Sequence, residues 1–94
     1  MKFKQGSYYL LDDSIIGVAQ CTGHFWVVDM TLFRTKEQLE EEGLATDSLE
    51  EPKFTYKGKE FFGNGDFYPV GEGRVVKKLK NLTLKMQLRG YQNA

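Results

Sequence analysis

Between His24 and Phe33 the chain carries large apolar groups on both parities. His24, Trp26, Val28, Met30 and Leu32 share one face of an extended segment, and Phe25, Val27, Asp29, Thr31 and Phe33 share the other. A strand with one wet face alternates between apolar and polar residues, whereas one that is apolar on both faces belongs in the interior of a sheet. This segment is read as a central strand, and the rest of the chain is read around it.

Upstream, residues 2–11 read as a first strand with Phe3, Tyr9 and Leu11 on one parity, closed by the turn residues Asp12-Asp13-Ser14. Ile15 to Cys21 reads as a second strand. Thr22-Gly23 lies between it and the central strand, a spacing that predicts a tight hairpin. Downstream, Thr35-Lys36-Glu37-Gln38 fits a capping box, and Gly43 stands where a helix closes in the left-handed conformation. One short helix is therefore expected over about 36–42, with Leu44 reaching back to Leu39. An acidic loop follows over 45–52. Lys57-Gly58 then predicts a hairpin that sets Phe54 opposite Phe61. Residues 63–73, with Gly63, Gly65, Pro69, Gly71 and Gly73, read as a loop around Phe67-Tyr68. In the tail, Leu82, Leu84, Met86 and Leu88 alternate with polar residues. Asn81, Thr83 and the Val75-Val76 pair disfavour a helix, so two strands turning near Lys80-Asn81 are expected.

The fold class that results is α+β and mostly β: a twisted antiparallel sheet or partial barrel of about six short strands with one short helix. At 94 residues the chain, 1–94, is read as a single domain. Its expected core is Trp26, Val28, Met30, Leu32, Phe54, Phe61, Leu82, Leu84, Met86 and Leu88. With 40% hydrophobic residues the chain has enough apolar material to fold, and no apolar run, Phe25 to Val28 included, is long enough to span a membrane. The single Cys21 forms no internal disulfide, and the N-terminus lacks the apolar stretch of a signal peptide, so a cytoplasmic protein is expected. The sequon Asn81-Leu82-Thr83 has no other mark of secretion beside it.

Few residues suggest chemistry. On a tight hairpin, Cys21 and His24 would face each other, and a thiol beside an imidazole can act as a nucleophile. That makes a cysteine-dependent enzyme one reading, although no flanking motif supports it. One Cys and one His cannot complete a zinc site unless two copies share it, so no metal or cofactor is expected. Gly63-Asn64-Gly65-Asp66-Phe67-Tyr68 lacks the third glycine of a dinucleotide loop and reads as a turn between strands.

Charge is the more informative feature. Thirteen basic and thirteen acidic residues leave no net charge, yet residues 35–52 carry net −6 and residues 53–94 carry net +6. The acidic block offers Glu37, Glu40, Glu41 and Glu42 as a partner-binding face. The basic block offers Arg74, Lys77, Lys78, Lys80, Lys85 and Arg89, with Phe54, Tyr56, Phe61, Phe67 and Tyr68 just upstream. Cations interleaved with aromatics are what single-stranded nucleic acid needs. The leading expectation is a small protein-interaction module without catalysis. It would be an inhibitor or accessory protein of the phage or mobile-element kind that occupies a partner's surface. Opposed charge blocks also make a homodimer plausible on electrostatic grounds. Nucleic-acid binding is the alternative.

Overall fold

The computed structural model describes residues 1–47, 49, 51–63 and 65–80, together with the backbone of 83–84. Along the described chain run β1 (Lys2–Phe3), β2 (Tyr8–Leu11), β3 (Ile16–Ala19), β4 (Gly23–His24), β5 (Val27–Thr35) and the helix α1 (Lys36–Glu41). Then come β6 (Phe54–Tyr56), β7 (Lys59–Phe62), β8 (Phe67–Gly71), a 3-10 turn (Glu72–Arg74), β9 (Val75–Leu79) and β10 (Thr83–Leu84). Every pairing is antiparallel, and the sheet curls into a half-barrel with one short helix. The α+β, mostly β reading holds.

β5 is the central strand. β3 pairs along one edge, with Ile16 opposite Phe33 and Ala19 opposite Met30. The other edge takes β7 at Arg34–Thr35 and β8 at Val27–Thr31. Arg34 to Thr31 is three steps on β5, while their partners Phe62 and Phe67 are five steps apart, so two extra residues bulge between β7 and β8. Gly63 sits in that bulge because the Phe33 ring lies over it. A Cβ there would stand 2.4 Å from Phe33 Cδ1.

Both faces of β5 are covered, and each has its own core. The first consists of Phe3, Tyr9, Leu11, Ile15, Ala19, Val28, Met30, Leu32 and Val70. Gly71 and Val75 are joined by only the 3-10 turn, yet their strands are four places apart in the order β8-β5-β3-β2-β9. A flat sheet would separate them by ~19 Å, more than this connection spans, so the strands must curl toward each other around the first core. The opposite face holds Ile16, Phe33, Phe54, Phe61 and Leu79. Here the β6–β7 hairpin folds over the sheet, bringing the Phe54 ring to 5.1 Å from both Tyr8 and Phe33, edge to face.

The β6–β7 hairpin has the expected register. Lys57 and Gly58 both take positive φ, 51° and 77°, as a two-residue primed turn requires, and Phe54 stacks on Phe61 at 5.3 Å.

Four expectations are corrected. Residues 2–11 are not one strand: the chain turns at Gly6 (φ 83°), which frees β1 to pair with β4. Thr22-Gly23 is not a tight hairpin. Gln20 N donates to Asp29 O, closing the β3–β5 pairing above a long excursion, and Gly23–His24 within it pair with Phe3 and Lys2. Because the chain has left the sheet there, Trp26 is not core and is 87% exposed. Finally, residues 63–73 are not a loop, since Phe67–Gly71 form β8 along β5 and Glu72–Arg74 a 3-10 turn. The tail does form two strands with the break near Lys80, and they pair elsewhere rather than with each other, β9 with β2 and β10 with β6. Val28, Met30, Leu32, Phe54 and Phe61 are buried as expected. Leu82, Met86 and Leu88 lie outside the described residues, as do the side-chain surroundings of Leu84.

Candidate functional site

α1 is short, and its ends are closed by the residues that the sequence marks for the task. At the start, Thr35 Oγ1 accepts from Gln38 N at 3.2 Å while Gln38 Oε1 accepts from Thr35 N at 2.9 Å. Gln38 Nε2 also donates to Asp13 O at 3.1 Å, fastening the helix to the β2–β3 turn. At the end, Gly43 takes φ 79°. Its N–H donates to Glu40 O, and Leu44 N donates to Leu39 O, both at 3.0 Å. This double closure fixes how the glutamates are presented.

Glu37, Glu40, Glu41 and Glu42 are all exposed. Glu42 is engaged, with Oε2 2.8 Å from Arg34 Nε. That nitrogen is buried and its N–H is not aimed at the carboxylate, so the pair is an ionic contact without an aligned hydrogen bond. Glu40 accepts from Thr46 Oγ1 at 3.3 Å. Glu37 and Glu41 have no ion pair among the described residues.

Beneath the helix lies a cleft of about 580 Å³. Leu32 and Phe62 come from the sheet, Leu39 from α1, Leu44 and Leu49 from the loop that follows, and Tyr68 from β8. Arg34, Glu42 and Glu51 add charged groups to the wall. No sequence period joins these positions. The available signal was three apolar residues, Leu44, Ala45 and Leu49, inside an otherwise acidic loop.

The basic residues lie elsewhere. Arg74 is spent inside the fold, with Nη2 2.7 Å from Asp13 Oδ2 and Nε 3.5 Å from Asp12 Oδ1. Lys77 and Lys78 are exposed on β9, at the end of the strand order, and Lys80 is exposed just beyond it. Lys85 and Arg89 fall outside the described residues. Of the aromatics that would accompany them, Phe54 and Phe61 are core and Tyr56 is half-buried. Phe67 and Tyr68 are exposed, but on β8, which pairs with β5 rather than with β9.

Cys21 is half-buried against the first core, and His24 is exposed opposite Lys2. The facing Cys21–His24 pair expected from a tight turn is not formed, because the two residues do not belong to one hairpin. Among the described residues no three His, Cys, Asp or Glu side chains gather into a metal-binding group, and no helix is long and apolar enough to cross a membrane. Further exposed apolar side chains are Trp26 and Val27 at the start of β5 and Phe67 at the other end of the β5–β8 pairing, at 87%, 55% and 61% exposure.

No family model, curated protein or solved structure matches this chain.

Proposed function

We propose that this protein is a non-enzymatic interaction module, and that the α1 face, with Glu37, Glu40 and Glu41 outermost, meets a basic partner protein. The observation that carries this reading is a set of exposed carboxylates, Glu37, Glu40 and Glu41, that make no ion pair among the described residues. Arg34 takes up Glu42 alone, and Arg74 is committed to Asp12 and Asp13. Acidic groups in the last turn of a helix oppose its dipole, each at a cost of roughly 0.3–1 kcal/mol or less when exposed. Such local conflicts concentrate where a surface serves recognition instead of folding. The exposed Trp26, Val27 and Phe67 add apolar area of the kind that anchors protein contacts. An inhibitor or accessory role in the cytoplasm fits a small chain that acts by covering another protein's surface.

The competing reading is nucleic-acid binding along β9, favoured by the exposed Lys77, Lys78 and Lys80. Against it, the exposed aromatics sit on β8 and not beside these lysines. One experiment separates the two. The protein is used to capture partners from its source lysate, with and without nuclease, alongside a Glu37→Gln/Glu40→Gln/Glu41→Gln variant and a Lys77→Glu/Lys78→Glu/Lys80→Glu variant. The interaction reading expects a nuclease-resistant protein partner that the glutamine variant loses and the lysine variant keeps. A nuclease-sensitive partner lost only by the lysine variant would replace it.

A further inference from the structure

We infer that the cleft beneath α1 receives a bulky apolar side chain carried by a basic peptide segment of the partner. The inference rests on the interaction reading above and deepens it by naming what is recognised.

The cleft holds about 580 Å³, within the ~300–1,000 Å³ of ligand clefts, and has room for one or two large side chains. Its walls mix leucines with the charged Arg34, Glu42 and Glu51: Leu32 is at 7% exposure on the sheet side, Leu39 and Leu49 are half-buried, and Leu44 is at 51% exposure on the lip. A leucine left half in water at the mouth of a cleft gains by being covered, at about 25 cal/mol per Å² of apolar surface removed from solvent. Arg34, the one cation lining the cleft among the described residues, already faces Glu42 at 2.8 Å and so is not a free positive charge for an anionic ligand. The segment 35–52, which supplies six of the lining residues, carries net −6 in the sequence. An acidic guest would be repelled, and a neutral one would leave the field unused. An apolar anchor flanked by lysine or arginine satisfies both the lining and the charge. The anchor supplies the buried contact, and the flanking cations steer encounter and set register.

The probes are three short capped peptides: Lys-Lys-Phe-Lys-Lys, Lys-Lys-Gly-Lys-Lys and Glu-Glu-Phe-Glu-Glu. Each is titrated into the full chain and followed by heteronuclear NMR, which also reports that the fold is intact. The phenylalanine peptide with lysines is expected to bind about tenfold more tightly than the glycine one, a difference of ~1.4 kcal/mol. The shifts should centre on Leu39, Leu44 and Tyr68. Ala45→Trp, an exposed loop position on the cleft wall, should erase that difference by filling the space. Leu44→Ala, a milder change on the lip, should reduce it. If the phenylalanine and glycine peptides bind equally and both depend on Glu37, Glu40 and Glu41, the acidic face survives and the cleft inference is overturned. If the glutamate-flanked peptide binds as well as the lysine-flanked one, the basic character of the occupant is overturned. If no peptide binds saturably, both the cleft inference and the acidic-face reading fail.

Discussion

Phe54 and Trp26 mark the limits of single residues as guides. Both are large aromatics in segments that read as strands, yet Phe54 is 0% exposed among Tyr8, Phe33 and Phe61, while Trp26 is 87% exposed. Alternation assigns a parity but does not say where a strand begins, and the chain joins the sheet one residue after Trp26. Phe54→Ala should therefore cost about 3–5 kcal/mol in urea unfolding, whereas Trp26→Ser should stay within about 0.5 kcal/mol. Tryptophan fluorescence gives a second check: the native protein should emit like a solvated indole and shift little on unfolding. Gly63 extends the same logic to a residue with no side chain. Gly63→Ala pushes a methyl into the Phe33 ring and should destabilise by about 1–3 kcal/mol, and Phe33→Leu in the same chain should relieve part of that loss.

At the level of elements, what was legible was local. α1 runs from Lys36 to Glu41 behind the capping box and ahead of the glycine that the sequence displays, because a helix end is decided by side chains within four residues of it. The β6–β7 register was legible for the same reason: Lys57-Gly58 permits one turn, and that turn fixes Phe54 on Phe61. The partners chosen across long sequence separations were not legible. β1 leaves its neighbour β2 to pair with β4, and β9 crosses to β2 while β10 goes to β6. Those choices depend on which faces need cover once β5 is central, and no short window contains that information. Thr35→Ala tests the local part. Losing the cap should cost about 0.5–2 kcal/mol in global stability, and it should loosen α1 enough for amide exchange in Lys36–Glu41 to accelerate more than in β5.

For the whole molecule, the charge segregation was written plainly in the sequence, but its disposition was not. Among the described residues no ion pair joins the glutamates of α1 to the lysines of β9. Arg34 answers Glu42 and Arg74 answers Asp12 and Asp13, so the glutamates of α1 and the lysines of β9 remain on separate parts of the surface. Exposed pairs of this kind contribute roughly 0–1 kcal/mol, and Arg74→Ala should change stability by no more than that. The value of the segregated charge lies in association. The cleft could not be read from the sequence because four separate stretches build it: β5, α1 with its following loop, β7 and β8. The most direct test of recognition through the α1 face is how fast the captured partner associates as salt is raised. For the wild-type protein the rate should fall steeply between low and physiological ionic strength, and for Glu37→Gln/Glu40→Gln/Glu41→Gln it should start about tenfold lower and stay nearly flat. An unchanged rate and salt slope in that variant, with the loss appearing instead on replacing Lys77, Lys78 and Lys80, would contradict it.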